Sequence, residues 1–436
     1  MYKTDTLFSI PMAELEEEII PRKWRINRDT SPHFCAPGSG HWGMVKMAFL
    51  VPEISVIFVI PMGCGRHGGI ATMREGLSEK LSYLPISEVD IVTGDHLVKT
   101  EKAVGDVIAL ERPKGLMLFT TCIDDLLGSD YDSLMERMEK AHGIPIVRGK
   151  MNPIMMLSKR PPGMMIYNSI HGFLKERPKI RGQFNILGTP CPVDRDSEIH
   201  EIFDSLGLPP PRHIGQYTTF ESHLDLAEAH TNLLIALPGL RAAENLQQRL
   251  GQDYLPFYSV FRLEGIRKNY QTLEAYLETA IHTESYEQTC IDYLESCADD
   301  LSGKTAVIGS NVQAAPFELA RFLTEMGVVV RYIIAGIVLP YEREHVPWLA
   351  KHAPGIRVIP NLDPSLSLVQ EPIENVDFGI GLDSPAYFKV NHLVDISVDD
   401  NLFGYRGTMK LVRNMVKAPV YTMSIKDLVY SQNLVV

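Results

Sequence analysis

The sequence predicts an α/β protein built from three Rossmann-like parallel-sheet modules. Three observations carry that prediction. Short β-rich runs alternate with helical stretches along most of the chain, the pattern of strands joined by crossover helices. The 436 residues exceed one ordinary domain, and at roughly 150 residues per domain they suggest about three. Apolar residues make up 45% and charged residues 22%, the balance of a folded globular chain.

Residues 1–30 read as an N-terminal arm, because Pro21 and the basic stretch Arg22 to Arg28 interrupt a weak alternation. The first module, residues 31–175, offers strands at Ile54–Ile60, Val89–Thr93, Gly115–Thr121 and Ile144–Arg148. Asp130–Ala141 reads as a helix, with apolar Leu134 and Met138 four residues apart. Met151–Met165 is rich in Met and Pro and marks a loop or joint; its methionines suit the cover of a flat apolar ligand as well as a core. The second module, residues 176–300, runs through strand Phe184–Gly188, helix Ser197–Leu206, strand Asn232–Leu237 and helix Leu240–Leu250. Gln271–Ser296 is one long helix or two broken ones. The third, residues 301–436, opens with a βαβ unit: strand Lys304–Ser310, helix Pro316–Met326 and strand Val328–Ala335. Strands Ile356–Pro360 and Asp377–Gly381 follow, then a C-terminal helix at Gly404–Met415.

Composition excludes several roles. The formal charge of −12 argues against a nucleic-acid reader, which normally carries a basic surplus. No apolar run reaches the roughly 18 to 20 residues that span a bilayer. The start of the chain lacks a basic-then-apolar leader, so the expectation is a cytoplasmic protein with no membrane partner. Its six cysteines should then be thiols or metal ligands. Neither G-x-G-x-x-G nor G-x-x-x-x-G-K-[ST] occurs, so dinucleotide and P-loop nucleotide sites are unsupported.

The cysteines are the informative residues. Cys35 lies in a Gly/Pro-rich loop, HFCAPGSGHWG. Cys64 follows the apolar strand Ile54–Ile60, and Cys122 follows Gly115–Thr121. In a parallel sheet the carboxyl ends of the strands share one edge, where ligands gather. Cys64 and Cys122 should emerge there together, with the Cys35 loop able to fold over them. An isolated buried cysteine is usually a small core residue; three at loop or strand ends beside Gly or Asp fit that role poorly. Zinc sites usually show short C-x₂₋₄-C pairs, unlike the spacings of 29 and 58 residues here. An iron–sulfur cluster assembled across loops fits better. Gly63 and Gly65 let the backbone approach a bulky group closely. A cubane takes four ligands, so another chain could complete the set.

Asp124 and Asp125 are candidate proton donors or supporting groups, with capping of the following helix as the ordinary alternative. His41, Arg66 and His67 flank the cysteines and could tune a cluster or simply face solvent. His213, His223 and His230 make no convincing metal-binding spacing. Cys191 could line a cleft; Cys290 and Cys297, seven apart, read as helix core.

With these contexts the chain resembles the nitrogenase component 1 family, which includes the dark-operative tetrapyrrole reductases. The resemblance rests on Cys35-Ala36-Pro37-Gly38-Ser39, Trp42-Gly43-Met44-Val45-Lys46, Gly63-Cys64-Gly65, Gly94-Asp95, and Cys122 with Leu127-Gly128-Ser129-Asp130. It is strongest over residues 31–150. It implies three modules around a central cavity, with Cys35, Cys64 and Cys122 holding a cluster at a subunit interface. That cluster is either a [4Fe–4S] centre or a P-cluster-like [8Fe–7S] centre. The implied partners are an ATP-dependent iron–sulfur reductase of the nitrogenase-reductase type and a homologous second subunit or a second copy of the same chain. The acidic surplus would make docking salt-sensitive.

The resemblance departs at the cofactor positions. Ala236 stands where the family's nitrogenase α subunits have a cysteine, and Phe403 where they have a histidine. Neither side chain donates an electron pair to iron, which argues against dinitrogen reduction. The implied function is a nitrogenase-like reductase acting on an organic substrate, with a tetrapyrrole as the leading class. Two alternatives are a cofactor-assembly scaffold and a non-catalytic, cluster-bearing partner subunit.

Overall fold

A computed structural model describes residues 7–30, 34, 42–61, 64, 78–152, 154–155, 158–310, 312, 314–369, 371–396 and 401–417. The fold is α/β, with three separate sheets whose helix-linked strands run parallel. The described residues group into two compact units. One draws on Gly40–Pro192 and Phe203–Phe257, the other on Met1–Ser39, Val193–Ile202 and Tyr258–Val436. Among the described residues no helix is long and apolar enough to cross a membrane.

The N-terminal stretch is more ordered than its weak alternation suggests. Strand β1 (Ile10–Pro11) leads into a helix, Met12–Ile19, that buries Met12, Leu15 and Ile19. Those spacings of three and four mark one helical face. The face packs on the helix His345–His352 within the same unit.

The first sheet holds β2 (Ile54–Pro61), β3 (Leu81–Ile86), β4 (Gly115–Thr121) and β5 (Ile146–Met151). Their order is β3-β2-β4-β5, all parallel. The central strands β2 and β4 are covered on both faces, which is why they read as unbroken apolar runs. On one face Ile57, Val59, Leu116 and Leu118 pack with Val104, Tyr131, Leu134 and Met138 from the crossover helices. On the other, Phe58 and Phe119 meet edge to face at 5.8 Å.

The expected strand Val89–Thr93 is a helix, Glu88–Thr93. Ser87 caps it: its hydroxyl accepts the Asp90 N–H at 3.3 Å, and the Asp90 carboxylate accepts the Ser87 N–H at 2.8 Å. The real strand, β3, lies just before. It is an edge strand, LSYLPI, whose middle positions alternate between half-buried and exposed and which holds Pro85, a residue that argues against a strand, whereas the valines after it are exposed. The strand expected at Ile144–Arg148 is β5, two to three residues later.

The second sheet, in the same unit, holds β6 (Ile180–Leu187), β7 (Arg212–His213), β8 (Ala229–Leu234) and β9 (Asp253–Pro256). Its order is β7-β6-β8-β9, again all parallel. The helix Pro162–Ile170, part of the expected joint, packs against both β5 and the helix Leu240–Leu250. It therefore ties the first two sheets together.

The third sheet holds β10 (Thr305–Ile308), β11 (Val329–Ala335), β12 (Arg357–Pro360), β13 (Asn375–Ile380) and β14 (Lys389–Val394). The order is β1-β12-β11-β10-β13-β14, with β1 alone antiparallel, pairing Ile10 with Val358. The stretch left open between one helix and two is two, Leu263–Leu277 and Glu284–Leu301; the first ends at Glu278, whose φ is 52°. The last described helix, Gly404–Lys417, is capped by buried Glu198. That carboxylate accepts the N–H of Tyr405 at 2.8 Å and of Arg406 at 3.1 Å, and the Tyr270 hydroxyl at 2.8 Å.

The unit that carries the first two sheets buries three histidines, His171, His213 at the end of β7, and His223. His171 Nδ1 meets the Tyr167 carbonyl at 2.8 Å, and its Nε2 is buried without a partner. His213 is satisfied on both sides, by the Gly215 N–H at 3.0 Å and the Thr189 carbonyl at 3.0 Å. Both ring nitrogens of His223 are buried and unpartnered. Burial holds His171 and His213 down at about 4 and His223 at about 3, and charge on His171 would oppose charge on the other two. These rings stay neutral in the native chain while the unfolded chain takes up protons below pH 6.5. Stability of this unit is therefore full above pH 6.5 and falls as pH drops toward 4. The loss is up to about 1.4 kcal/mol per pH unit for each histidine. Hydrogen exchange at the β6 amides in dilute urea should show weaker protection at pH 5 than at pH 7, after correction for intrinsic rates. A His223→Leu variant should lose part of that slope. Equal protection at both pH values would contradict the argument.

Candidate functional site

The order of the first sheet reverses between β2 and β4. From β2 the chain crosses outward to β3, and from β4 it crosses the other way to β5. Adjacent strands whose crossovers leave in opposite directions open a crevice at their carboxyl ends, the usual ligand position in such sheets. The register pairs Phe58 with Phe119. Beyond that last pair β2 runs on to Pro61, and β4 ends at Thr121, where Cys122 opens a helix. Cys64 follows in a turn, its N–H donating to the Pro61 carbonyl at 2.9 Å. Cys64 is exposed and Cys122 half-buried.

The two predicted cysteines that the structure describes therefore meet at the expected edge. Burial pushes the Cys122 thiol up, and the neighbouring Cys64 adds to that rise; N–H groups of Cys122 and Ile123 pull the other way. Two neighbouring thiols at one sheet edge are a soft donor pair suited to iron–sulfur ligation. Cys35, the third predicted ligand, lies outside the described residues, as do Gly63, Gly65, His41, Arg66 and His67. Among the described residues no group of three or more His, Cys, Asp or Glu side chains is arranged to hold a metal ion.

Asp124 takes the capping role, on the helix to which it belongs rather than on Tyr131–His142. The chain turns helical at Cys122 itself, so Asp124 sits in the first turn of Cys122–Leu127 and accepts the Thr121 N–H at 3.0 Å. Its other oxygen accepts the Tyr131 hydroxyl at 3.0 Å. The following helix, Tyr131–His142, is capped by Asp130, which accepts the Ser133 N–H at 3.1 Å. Buried Asp124 is thus fully engaged in fixing the turn that carries Cys122.

Asp125 has a different neighbourhood, which sequence reasoning missed. It accepts from Lys150 Nζ at 3.0 Å and Asn152 Nδ2 at 2.9 Å, with Arg148 at 3.8 Å. Burial raises its carboxyl, but the Lys150 and Asn152 hydrogen bonds and the two cations outweigh that, and the net direction is down. Arg148 also donates to Thr120 Oγ1 at 2.9 Å and lies 4.7 Å from the centre of the Tyr131 ring. The signal for this group is strand register: Lys150 pairs with Thr120 and Met151 with Thr121. That pairing is a property of the folded sheet and has no local sequence pattern.

The second sheet repeats the reversal, between β6 and β8. Cys191 and Ala236 follow those two strands. Gly188, at φ 120°, packs so closely that an added Cβ would stand 2.4 Å from the Ala236 carbonyl oxygen. Only glycine fits there. Half-buried Cys191 has its carbonyl bonded by Thr189 Oγ1 at 3.0 Å. In the other unit Phe403 is buried, and its carbonyl accepts from Ser197 Oγ at 3.3 Å. Cys290 and Cys297 are buried on one face of the helix Glu284–Leu301, as their spacing predicts, and burial drives Cys290 up to about 12.

Comparison with known proteins agrees with this geometry. The chain is 24% identical over 413 residues to a nitrogenase molybdenum-iron protein alpha chain of Methanosarcina barkeri, covering 85% of this chain and 74% of that one. Nitrogenase iron-molybdenum cofactor biosynthesis proteins NifE are also similar. That of Rhizobium meliloti is 21% identical over 59% of this chain and 55% of its own length, and that of Rhodobacter capsulatus 24% over 51% and 50%. The solved structure of nitrogenase Cp1 at pH 6.5 superposes with a TM-score of 0.67 at 17% identity, covering 90% of this chain and 94% of that chain. The same fold, matched at this level, shows architecture alone. The family model for nitrogenase component 1 type oxidoreductases matches residues 39–419, and with the three parallel sheets in place the chain belongs to that family.

Proposed function

We propose that this chain is the catalytic subunit of a nitrogenase-like reductase. In this reading it takes low-potential electrons from an ATP-dependent iron–sulfur reductase, through a cluster held by Cys35, Cys64 and Cys122, to an organic substrate of the tetrapyrrole class. The observation that carries the reading is the meeting of Cys64 and Cys122 at the reversal point of the first sheet. A bound iron–sulfur cluster would supply one-electron storage at low potential. This chain's own residues would anchor and surround it. Asp124 and Tyr131 fix the Cys122 turn, while Arg148 and Lys150 keep positive charge near that edge and hold Asp125 ionised.

The same edge supports a docking role. Exposed apolar side chains follow three of its four strands: Val89 and Val92 after β3, Leu126 and Leu127 after β4, Ile154 and Met155 after β5. Val92 is 87% exposed and Leu126 73%. Apolar groups gathered around a candidate cluster edge suit a partner that must approach closely. We assign this rim to the reductase or to the homologous subunit.

The similarity to NifE proteins favours a second reading, a cofactor-assembly scaffold. Ala236 weighs against it, since a scaffold that retains a cluster precursor benefits from a thiolate at that position. Anaerobic purification with a reductase separates the two: turnover of a co-purified organic ligand favours the enzyme, and transfer of a cluster to an acceptor protein favours the scaffold.

Three outcomes are expected. Replacing Cys35, Cys64 or Cys122 singly by Ala should lower iron and acid-labile sulfide in anaerobically purified protein, while Cys290→Ala and Cys297→Ala should not; equal iron in all five sinks the ligand assignment. In cluster-free protein a maleimide should label Cys64 first and Cys122 more slowly, with Cys290 and Cys297 reacting only after unfolding. Labelling of Cys290 as fast as Cys64 would contradict this. Val92→Glu with Leu126→Glu should leave iron content unchanged yet raise the reductase concentration needed for half-maximal electron delivery by roughly tenfold or more. An unchanged requirement would move the docking surface elsewhere.

A further inference from the structure

Two buried carboxyl groups in the unit that carries the third sheet have no part in the proposed electron path. Glu342 closes the turn Pro340–Glu342; its Oε1 accepts the Leu339 N–H and its Oε2 the Phe317 N–H, each at 2.8 Å. Phe317 lies in the first turn of the helix Pro316–Glu325, so Glu342 caps that helix. The next residue, Glu318, caps another. Its Oε1 accepts the N–H of Phe261 at 3.0 Å and of Arg262 at 2.8 Å, just before the helix Leu263–Leu277. The two caps thus run in series: one carboxyl fixes the helix that presents the other.

The charge around them is unusual. Glu318 and Glu342 are both buried. Among the described residues no lysine, arginine or histidine nitrogen forms an ion pair with either one. Arg262 directs its guanidinium to Glu325 at 2.9 Å and Glu264 at 3.2 Å, and its charge reaches Glu318 only as a partial offset to burial. Arg321 bonds Glu325 at 2.9 Å and approaches His345 Nδ1 at 3.4 Å. Tyr341, stacked on Tyr258 at 4.0 Å, stands beside both carboxyls and adds no positive charge. Two adjacent carboxylates in a dry site without a paired cation cannot both ionise cheaply.

We propose that Glu318 and Glu342 form a proton-gated pair of helix caps. The pair holds one proton at neutral pH, and releasing it on mild alkalinisation loosens the turn Pro340–Glu342 and the helix Pro316–Glu325 from the helix Leu263–Leu277. Geometry seats the proton on Glu318. Its Oε1 accepts the two shorter bonds, while Oε2 takes only the longer branch of the shared Phe261 N–H, at 3.2 Å, so Oε2 is the oxygen better placed to carry the hydrogen. Glu342 spends each oxygen on a separate N–H and needs both as acceptors. Burial pushes Glu318 up to about 7 and Glu342 to about 8, and the charge of Glu318 adds to the rise at Glu342; the bonding pattern rather than that order decides which carboxyl keeps the proton.

The sign follows from linkage. The unfolded chain loses these protons near the ordinary carboxyl value, while the native pair keeps one to neutral pH. Above that ordinary value the native state therefore binds more protons, and stability falls as pH rises, until the native pair has also ionised near pH 8. His345 acts in the opposite direction: burial holds it at about 4, so it favours the native state as pH rises from 4 to 6.5 and is silent above. Glu325 lies below the ordinary carboxyl range, held by Arg262 and Arg321 against the opposing effect of burial, and Tyr341 lies far above neutrality because burial raises it. The window from pH 6.5 to 8 consequently reports the pair alone among the groups facing it.

The test uses hydrogen exchange on the full-length protein, read at the Phe261, Arg262, Phe317 and Leu339 amides. Protection, corrected for the intrinsic exchange rate, should fall by up to roughly tenfold per pH unit between pH 6.5 and 8. Glu318→Gln, an isostere of the protonated carboxyl, should flatten that slope and keep protection at neutral pH. Glu342→Gln should lose protection at every pH, because one of its two acceptors becomes a donor. Infrared spectra in heavy water should show a protonated-carboxyl band at pH 6.5 that fades by pH 9 and is absent in Glu318→Gln. A flat wild-type profile, or a wild-type spectrum without that band, overturns the proposal.

Discussion

The arrangement of this molecule's chemistry depends on one constraint, the parallel pairing of β2 with β4. A parallel ladder puts the exits of both strands on one edge. The reversal of strand order keeps the crossover helices from covering that edge, because each chain leaves in its own direction. Phe58 and Phe119 are the last pair of that ladder, so backbone hydrogen bonding aligns the two strands up to three residues before Pro61 and Cys122. The thiols could not be brought together by local sequence, since 58 residues separate them. Their proximity is a product of sheet topology.

That explains what the sequence allowed and what it hid. β2 and β4 were legible because both faces are buried and the residues run apolar without a break. The helices Tyr131–His142 and Leu240–Leu250 were legible from periodic apolar positions and clear ends. The edge strand β3 was not, because Pro85 interrupts its short apolar run, whereas the helix beside it carries exposed valines that mimic a strand. At the site, the cysteines announced themselves by position after strands. The ring of Arg148, Lys150 and Asn152 around Asp125 did not, for it is assembled by register across β4 and β5.

The polar groups near Cys122 divide into two kinds. Asp124 is satisfied by the turn it sits in and by Tyr131, so its work is positional. Asp125 faces cations contributed by a neighbouring strand and keeps its charge partly exposed. A pair of adjacent acidic residues thus takes opposite tasks through a difference of one position on a short helix. The carboxyls at Glu318 and Glu342 show the converse, since similar capping geometry there comes without a cation in an ion pair among the described residues, the setting of the proton retention proposed above.

The antiparallel strand β1 has a consequence for synthesis. Ile10 pairs with Val358, so β1 reaches its partner only after nearly 350 more residues have been made. Until then β12 does not exist, and the apolar face of the helix Met12–Ile19 has nothing of its own unit to cover it. Meanwhile the stretch Gly40–Pro192 holds every strand of the first sheet and can fold as it emerges. The nascent chain therefore carries a sticky, waiting N-terminal segment through most of its translation, which is the condition under which chaperone capture or pairing with another copy competes with folding. Once it docks, β1 caps an open sheet edge and removes the template that such pairing requires.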